Sequence, residues 1–267
     1  MIGPKAYPAK VGTGQYGPQH RLCARKMMTK LLLALFVVAS PAMAQDAQCL
    51  SERTAMVETI RAYARSGTGL PGSRGIAESV LSAMQRTERH RFIPGSSCAT
   101  AYRDGPVPIG RGQTISQPFI VALMTDLAAV GPDDTVLEIG TGSGYQAAIL
   151  ARLVRKVCTV EIIPPLAEAA ATLLRELGHG NVSVRAGDGY HGWPECGPFD
   201  ATIVTAALGH VPQALIEQLK SGGRLVMPLG SALAAQELVV GEKIAPGELR
   251  MRSVIPVRFV PFTRKRD

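Results

Sequence analysis

The chain has 267 residues, of which 46% are hydrophobic and 19% charged, and its formal net charge is +8 at pH 7. This length suits a single α/β domain with a short extension and allows a sizeable hydrophobic core. The charge does not indicate a nucleic-acid-binding face: residues 1–44 hold six basic residues and no acidic residue, which leaves 23 basic and 21 acidic residues, a net charge of +2, for residues 45–267.

The N-terminal segment 1–44 is predicted to be targeting-like. Two lysines precede the apolar run 31–39, and a small-x-small sequence at 42–44 offers a cleavage site before Gln45. This three-part pattern is typical of a secretory signal peptide over 27–44, and its apolar run is too short to span a membrane. The alternative is an N-terminal apolar helix that packs on the domain.

Two interpretations remain open for residues 1–26, which are rich in Gly, Pro and Lys. They are a start-site artefact, with Met27 or Met28 as the true first residue, or they are an unusually long N-terminal region of the signal. Residues 45–267 are predicted to form a single domain, without internal repeats.

The cysteine pattern indicates neither a metal site nor a disulfide framework. None of the cysteines forms a C-x-x-C pair or has the spacing of metal ligands; they are Cys23, Cys49, Cys98, Cys158 and Cys196. Cys158 falls within a predicted core strand, where a buried thiol is the ordinary expectation.

The first elements of the domain are predicted to be helical. Apolar residues recur at helical spacing over 51–64 and 75–87, with a flexible connector at 67–72. The stretch 89–117 is rich in Gly and Pro and is predicted to be an ordered loop. A helix follows over 118–129, ended by Gly131-Pro132.

From residue 135 onward, predicted strands and helices alternate. Strands are expected at 135–139, 157–161, 182–186, 200–205 and 224–228, helices at 145–154, 165–177 and 212–220, and antiparallel edge strands within 236–262. The predicted fold class is therefore α/β, a Rossmann-like, doubly wound, mostly parallel sheet with helices on both faces, antiparallel C-terminal edge strands and an N-terminal helical extension.

A glycine-rich turn after the first of these strands predicts a nucleotide site. The run 138–146 reads Glu-Ile-Gly-Thr-Gly-Ser-Gly-Tyr-Gln. A dinucleotide fingerprint would need its third glycine at 145, and a P-loop would need a lysine, so neither fits. The spacing instead resembles the first motif of class I S-adenosylmethionine-dependent methyltransferases. The cofactor-binding residues expected here are Glu138, Gly140, Thr141, Gly142, Ser143 and Gly144.

Further candidates for cofactor binding lie at the ends of later strands. Glu161 ends the second strand, where nucleotide folds use an acid to accept hydrogen bonds from the ribose hydroxyls. Asp188 follows the third strand, where it can meet the adenine amino group, and Gly189 lets the backbone lie against the ring. Thr205 ends the fourth strand. A solvated carboxylate and an ordinary Asp-Gly turn are the structural alternatives.

The fourth strand also disfavours nucleobase methylation. Enzymes that methylate exocyclic amines of bases carry an Asn/Asp-Pro-Pro-aromatic run here, whereas this chain has Ile203-Val204-Thr205-Ala206-Ala207, and it lacks the Pro-Cys nucleophile of cytosine C5 chemistry.

Over roughly residues 88–262 the chain resembles the protein-L-isoaspartate O-methyltransferases. The segments that carry the resemblance are Arg-x-x-Phe-x-Pro at 89–94, the run Gly-x-Gly-Gln-Thr-Ile-Ser-Gln-Pro at 110–118, the glycine loop, Gly-Asp-Gly at 187–189 with Gly-Trp-Pro at 192–194, and the segments 198–201, 204–207, 217–220, 222–225 and 257–261.

The resemblance implies the reaction and its acceptor. The cofactor would be S-adenosylmethionine, and the methyl group would go to the free α-carboxylate of an L-isoaspartyl or D-aspartyl residue in a damaged protein. The methyl ester then closes to a succinimide, which reopens partly to normal aspartate. A carboxylate is ionised at neutral pH, so it needs orientation rather than a general base, which agrees with the lack of an obvious catalytic His or Cys.

By the same resemblance, Ser116 occupies the active-site position and Thr114 lies beside it. The residues expected to contact the substrate are Gln113, Ile115, Gln117, Ala206 and Ala207. A capping or turn hydroxyl ahead of the helix at Pro118 is the structural alternative for Ser116.

Two departures from the family pattern concern the site. The family commonly has an arginine after the ribose-binding acid, where this chain has Ile162, and Pro-Glu after the two alanines, where it has Leu208-Gly209-His210. The second departure leaves substrate preference less certain than cofactor binding, and His210 is either a substrate contact or an exposed loop residue.

Two other functions stay open: methylation of a small-molecule carboxylate, and cofactor binding without turnover in an exported protein. The expected partners are isoaspartyl proteins and peptides, with no nucleic acid, no metal, no stable membrane insertion and a monomeric chain. The cytoplasm is favoured as the compartment, because the methyl donor is made there; export through 27–44 is the alternative.

Overall fold

The computed structural model describes residues 41–65, 75–231 and 235–264, together with the single positions 3, 9, 12 and 14. The chain divides into two compact units, residues 1–44 and residues 45–267. The apolar run 31–39 and the connector 67–72 lie outside the described residues. Within the described ranges, no helix has both the length and the apolar character to cross a membrane.

The chain first forms helices and a short hairpin. In order, these elements are α1 (Pro41–Arg65), α2 (Glu78–Arg86), a 3₁₀ turn (Arg89–Phe92), α3 (Cys98–Tyr102), β1 (Val107–Gly110), β2 (Gln113–Ile115) and α4 (Pro118–Ala128). The strands β1 and β2 pair in antiparallel fashion. The cleavage position predicted between Ala44 and Gln45 falls within α1.

A seven-stranded sheet then organises the rest of the chain. Its elements are β3 (Thr135–Ile139), α5 (Tyr145–Ala151), β4 (Lys156–Glu161), α6 (Pro164–Glu176), β5 (Val182–Ala186), two 3₁₀ turns (Gly189–His191 and Pro194–Cys196), β6 (Phe199–Val204), α7 (Gln213–Glu217), β7 (Leu219–Leu229), β8 (Gln236–Ala245) and β9 (Glu248–Val257). The strand order is β5-β4-β3-β6-β7-β8-β9.

The order of the strands places a ligand crevice beside β3. Strands β3 to β7 pair in parallel, and the chain runs to one side of β3 through β4 and β5 and then returns to the other side through β6. This reversal is a topological switch point, where open α/β sheets bind ligands at the carboxyl ends of the strands. The predicted fold class is confirmed, including the antiparallel edge strands β8 and β9.

Neighbouring residues of the central strands pack on opposite faces of the sheet. Val136 and Val157 belong to the hydrophobic core that also contains residues of α1, α2, α4 and α5. Leu137 and Cys158 belong to the core on the other face, together with Leu215 of α7. The alternation follows from the two-residue period of a strand, and it buries the central strands on both faces.

Two predictions of local structure were wrong. The stretch 89–117 is not only loop, because it contains α3 and the β1–β2 hairpin. The helix predicted over 212–220 ends at Glu217, and Leu219 already belongs to β7, where it is buried and pairs with Phe199. In the first case the pairing of two short strands outweighs the local pattern. In the second case pairing with β6 does so, and β7 is longer than the predicted strand 224–228.

The expectation of no disulfides was also wrong. Disulfide bonds join Cys49 to Cys98 and Cys158 to Cys196, with Cα atoms 5.0 and 6.6 Å apart. The partners are 49 and 38 residues apart in sequence, so no spacing rule reveals them. Cys158 is fully buried as expected, but it is bonded rather than a free thiol. His90 adds a third possible metal ligand within 4.8 Å of the Cys49–Cys98 sulfurs, which would first have to be reduced to bind a metal.

Candidate functional site

The glycine loop after β3 has the backbone conformation that its glycines allow. Gly140, Gly142 and Gly144 have φ values of +97°, +53° and +88°, in the left-handed region. A Cβ atom on Gly140 would overlap the hydroxyl oxygen of Thr205. The Thr205 hydroxyl lies 3.0 Å from the carbonyl oxygen of Ile139 and 2.8 Å from that of Gly140, to which it donates. The end of β6 is thereby fixed against the loop.

The carboxylate of Glu161 faces this loop from the end of β4. Glu161 is buried, and its Oε2 accepts a hydrogen bond of 2.8 Å from the backbone N–H of Gly142. Its Oε1 accepts a 3.0 Å bond from the N–H of Ile163. Each carboxylate oxygen retains acceptor capacity, so the carboxylate is fixed in place and can still accept hydrogen bonds from a diol.

Asp188 is held at the end of β5 by two donors. Its Oδ1 accepts from the backbone N–H of Tyr190 at 2.9 Å, and its Oδ2 accepts from Nε of Arg264 at 3.1 Å. Burial by itself raises the pKa of Asp188, but the bonds from Tyr190 and Arg264 outweigh it, so the pKa is lowered and the group is a carboxylate at neutral pH. A Cβ atom on Gly189 would overlap the side chain of Ile139, so this turn packs closely on β3.

Glu138 is a buried acid beneath the loop. Its side chain is fully buried, and among the described residues neither of its carboxylate oxygens has a hydrogen-bond partner. Burial raises the pKa of Glu138 to about 8. It lines a small pocket together with Thr114, Ser116 and the glycine loop. An unpartnered buried acid in such a pocket fits a ligand that brings a cationic or hydrogen-bond-donating group.

A cavity opens at the carboxyl ends of β3, β4 and β6. The glycine loop, Glu161 and Gly189 line it from the sheet side. The C-terminal segment Val260–Thr263 lines it as well. Its walls therefore contain Glu161 and Gly189, which the sequence assigns to the ribose and the adenine ring of a cofactor, whereas Asp188, assigned to the adenine amino group, precedes Gly189 and is not among the lining residues.

A second cavity lies next to the first. Ser116, Gln117 and Arg258 are among its lining residues. Thr114 and Thr205 line both cavities and also the pocket above Glu138. The two cavities therefore share a wall, and that wall carries the hydroxyl groups of both threonines.

The loop that carries Ser116 is supported by a buried arginine. Arg89 is fully buried, and its guanidinium donates to the carbonyl oxygens of Ala101 at 2.7 Å and Ser116 at 2.9 Å. Its Cζ atom lies 4.9 Å from the centre of the Tyr145 ring, and burial lowers the pKa of Arg89. Ser116 does not cap the following helix, because Gln117 occupies the N-cap position of α4.

Most of the predicted site residues meet at these cavities. Gln113 and Ala206 line the first cavity, and Thr141, Ser143 and Ile115 line the pocket above Glu138. Other predicted residues lie beside the cavities. Ala207 is buried and bonds through its backbone to Val260 and Phe262. His210 is exposed, and its Nε2 lies 2.9 Å from the hydroxyl of Tyr190.

Sequence reasoning missed three contributions to the cavities: those of the C-terminal residues, of Arg258 and of Ile162. Ile162 lines the first cavity beside Glu161, at the position where the sequence departs from the family. Arg258 is exposed at the second cavity. The segment 257–261 was identified as a family motif. Nothing in its sequence pattern shows that Val260 and Pro261 line the same cavity as the glycine loop.

Comparison with known proteins matches most of the chain to one family. The family described as protein-L-isoaspartate(D-aspartate) O-methyltransferase matches residues 73–267. The protein-L-isoaspartate O-methyltransferase 2 of Syntrophobacter fumaroxidans is 50% identical over 234 residues, which are 87% of this chain and 95% of that protein. The protein of the same description from Polaromonas sp. is 52% identical over 211 residues, 79% of this chain and 100% of that protein.

Solved structures with a similar fold have the same description. One protein-L-isoaspartate O-methyltransferase superposes with a TM-score of 0.70 at 28% identity and covers 78% of this chain, which spans just under two thirds, 65%, of that longer chain. A Plasmodium falciparum protein of this description, solved in complex with S-adenosyl-L-homocysteine, has a TM-score of 0.66 at 22% identity and covers 80% of this chain and 99% of its own. The latter similarity concerns the fold.

Proposed function

This chain belongs to the protein-L-isoaspartate(D-aspartate) O-methyltransferase family, and from that premise we propose how its two cavities divide the reaction. The enzyme transfers a methyl group from S-adenosylmethionine to the free α-carboxylate of L-isoaspartyl and D-aspartyl residues in damaged proteins, which begins their repair. The first cavity holds the methyl donor, and the second holds the isoaspartyl residue. The observation that carries this assignment is the wall shared by both cavities, formed by Thr114 and Thr205.

The residues of the first cavity fit the donor. When bound, S-adenosylmethionine supplies a methyl group on a sulfonium that is open to attack by a nucleophile. Asp188 would accept from the adenine amino group, and Glu161 from the ribose hydroxyls. The glycine loop lets the backbone approach the methionine part closely, and Glu138 lies beneath it with unpartnered carboxylate oxygens. Ser143 and Thr141 complete this side of the site.

The residues of the second cavity fit an anionic acceptor. A carboxylate is ionised at neutral pH, so the protein needs to orient it rather than remove a proton. The Ser116 and Thr114 hydroxyls can donate hydrogen bonds that hold the carboxylate toward the shared wall. Arg258, exposed at this cavity, adds positive charge that favours binding of the substrate carboxylate. Gln113, Ile115, Gln117, Ala206 and Ala207 would shape the path of the peptide.

Methyl transfer from labelled S-adenosylmethionine to an isoaspartyl peptide tests this function, with the aspartyl peptide of the same sequence as the control. We expect label in the isoaspartyl peptide only, released as methanol on treatment with base. Label in small carboxylic acids but not in the peptide would favour a small-molecule methyltransferase. Tight binding of the cofactor with no transfer would favour an exported binding protein.

We propose that residues 45–267 form the mature methyltransferase domain and that 27–44 direct its export. The family resemblance and the supply of the methyl donor, which is made in the cytoplasm, favour the cytoplasm, with export through the signal-like segment as the alternative. The two disulfides support the alternative, since disulfides persist mainly in oxidising compartments. The chain would act as a monomer, with both cavities in the unit 45–267 of one copy.

A further inference from the structure

The C-terminal segment Val260–Arg264, which we term the strap, runs along the edge of the cofactor cavity. The backbone N–H of Ala207 donates to the carbonyl oxygen of Val260, and the N–H of Phe262 donates to that of Ala207, both at 2.9 Å. Ala207 and Pro261 form a parallel bridge. These bonds fix the first part of the strap to the chain just after β6, so that residues 260–263 form one wall of the cavity.

The other end of the strap is held by Arg264. Its Nε donates to Oδ2 of Asp188 at 3.1 Å, and its Cζ lies 3.8 Å from the centre of the Tyr190 ring. An Nη2 contact of 3.4 Å reaches Nε2 of His191. The ring of Phe262 also packs edge-on against Tyr190, with centroids 6.5 Å apart. Arg264 therefore connects the strap to the turn after β5.

The two attachments differ in strength. The attachment at Ala207 consists of backbone bonds to a buried residue. The attachment at Asp188 joins a side chain that is 45% exposed to one that is 12% exposed. An exposed ion pair contributes little free energy and is screened by salt, so the Arg264 end is the one that can open.

We propose that Arg264 is a positioning residue for the cofactor: it aligns the Asp188 carboxylate and latches the strap across the cavity, so that cofactor exchange requires this latch to open. The inference rests on the proposed placement of adenine at Asp188 and Gly189. With one Asp188 oxygen bound to Tyr190 and the other to Arg264, the remaining lone pairs have a fixed direction for an amino donor. Stacking of the guanidinium on Tyr190 fixes Arg264 in turn.

The test is the dissociation rate of S-adenosylhomocysteine from the full-length protein by stopped flow, with the dissociation constant by calorimetry. We expect Arg264→Ala to speed dissociation by about three- to fivefold, the range for an exposed ion pair. Arg264→Lys should give an intermediate rate, because it keeps the charge but loses the planar stacking. Arg252→Ala, at an exposed position of β9, is the matched control and should equal the wild type.

The salt dependence of the dissociation rate distinguishes the latch from a merely structural role of Arg264, which would not make the rate depend on salt. Raising the salt concentration should speed dissociation from the wild type toward the Arg264→Ala rate and should leave the rate of that variant nearly constant. If the wild type binds the cofactor and methylates the peptide but Arg264→Ala and Arg252→Ala release the cofactor at equal rates, the latch proposal is wrong and the proposed function stands. A wild type that binds no cofactor would instead overturn the proposed function. If Arg264→Ala does not fold, the lysine variant and the salt dependence of the wild type decide.

Discussion

Glu138 is the residue whose environment departs most from that of an ordinary carboxyl group. It is fully buried beneath the glycine loop, and burial raises its pKa to about 8. Glu161, only one strand away, is also buried, but two backbone N–H groups donate to it. The contrast follows from the hydrogen bonds: each oxygen of Glu161 already accepts one bond from the protein and can accept more, whereas neither oxygen of Glu138 has a partner among the described residues.

We expect the stability of the cofactor-free protein to fall as the pH rises from about 4.5 to about 8. The pKa of Glu138 is near 8 in the folded state and near its ordinary value in the unfolded state, so the folded state holds the extra proton in this window. Because the unfolded state loses the proton in this window and the folded state keeps it, the free energy of unfolding falls by at most about 1.4 kcal/mol per pH unit. Chemical denaturation of the apoprotein at several pH values measures this slope.

Glu138→Gln serves as the comparison, because the neutral amide keeps the size and cannot ionise. The variant should gain stability relative to wild type as the pH rises through the window. The histidines His90 and His179, whose pKa values are lowered by burial, act in the opposite direction, but they are common to both proteins and cancel in the difference. A difference that does not change with pH would show that Glu138 is ionised throughout.

Replacement of Ser116 by alanine should lower kcat for an isoaspartyl peptide by about 10- to 100-fold, the effect of losing one hydrogen bond to a charged group. The affinity for S-adenosylmethionine should stay within about twofold, because Ser116 lines the second cavity and not the first. Initial-rate kinetics and calorimetry measure the two effects separately.

Ser253→Ala is the matched control for this prediction, since Ser253 is an exposed residue of β9. Ser116→Thr should recover part of the rate, because it restores the hydroxyl group. A Ser116→Ala enzyme with wild-type kcat would remove Ser116 from the catalytic assignment and leave Thr114 as the remaining hydroxyl of the loop.

At the scale of elements, the sequence predicts the central sheet better than its surroundings. Strands β3 and β5 occupy the predicted residues, because β-branched or alternating apolar residues between turn signals leave few alternatives. The hairpin at 107–115 consists of strands of four and three residues in a stretch rich in Gly and Pro. Such short strands have too few residues for a periodic pattern, so pairing between them decides their structure.

The candidate site divides in the same way. The glycine loop and Glu161 could be located because their residue types and spacing reflect a local backbone requirement. Arg264 contacts Asp188 across 76 residues of sequence, and Arg89 contacts Ser116 across 27. Contacts of this range depend on strand order, which a single sequence does not specify, and the same limit applies to the disulfides.

The Cys49–Cys98 disulfide should stabilise the N-terminal elements. It joins α1 to α3 across 49 residues, and α3 contains Ala101, which accepts a bond from Arg89. Closing a loop of this length is worth about 4 kcal/mol in the chain-entropy model. The free energy of unfolding of the double variant Cys49→Ser/Cys98→Ser should therefore be lower than that of the wild type by up to this amount. Denaturant titration without reductant measures the difference.

Reductant distinguishes the two disulfides in this measurement. The wild type should lose stability on reduction by more than the double variant does, because only Cys158–Cys196 remains to be reduced in the variant. Equal stability of wild type and double variant under oxidising conditions would mean that the α1–α3 tether contributes nothing to folding. Mass spectrometry after thiol alkylation, which counts the free cysteines, verifies the state of each sample.

For the whole molecule, charge and cysteine chemistry point in the same direction. The six basic residues of 1–44 account for most of the net charge, and the rest of the chain carries only +2. A basic start followed by an apolar run suits an export signal, and two disulfides suit the compartment to which it leads. Both cavities lie in the unit 45–267, so removal of the signal would leave the site complete.

We therefore expect the protein isolated from its native cells to begin at Gln45, to contain both disulfides and to be found in the exported fraction. Intact mass and N-terminal sequencing measure the first two features, and cell fractionation the third. Leu33→Arg, which places a charge in the apolar run, should leave the chain unprocessed with its cysteines reduced, whereas Leu33→Ile should be processed like the wild type. An unprocessed, fully reduced wild-type chain would instead assign the enzyme to the cytoplasm, where the methyl donor is made, and the cysteine pairs would then be free thiols.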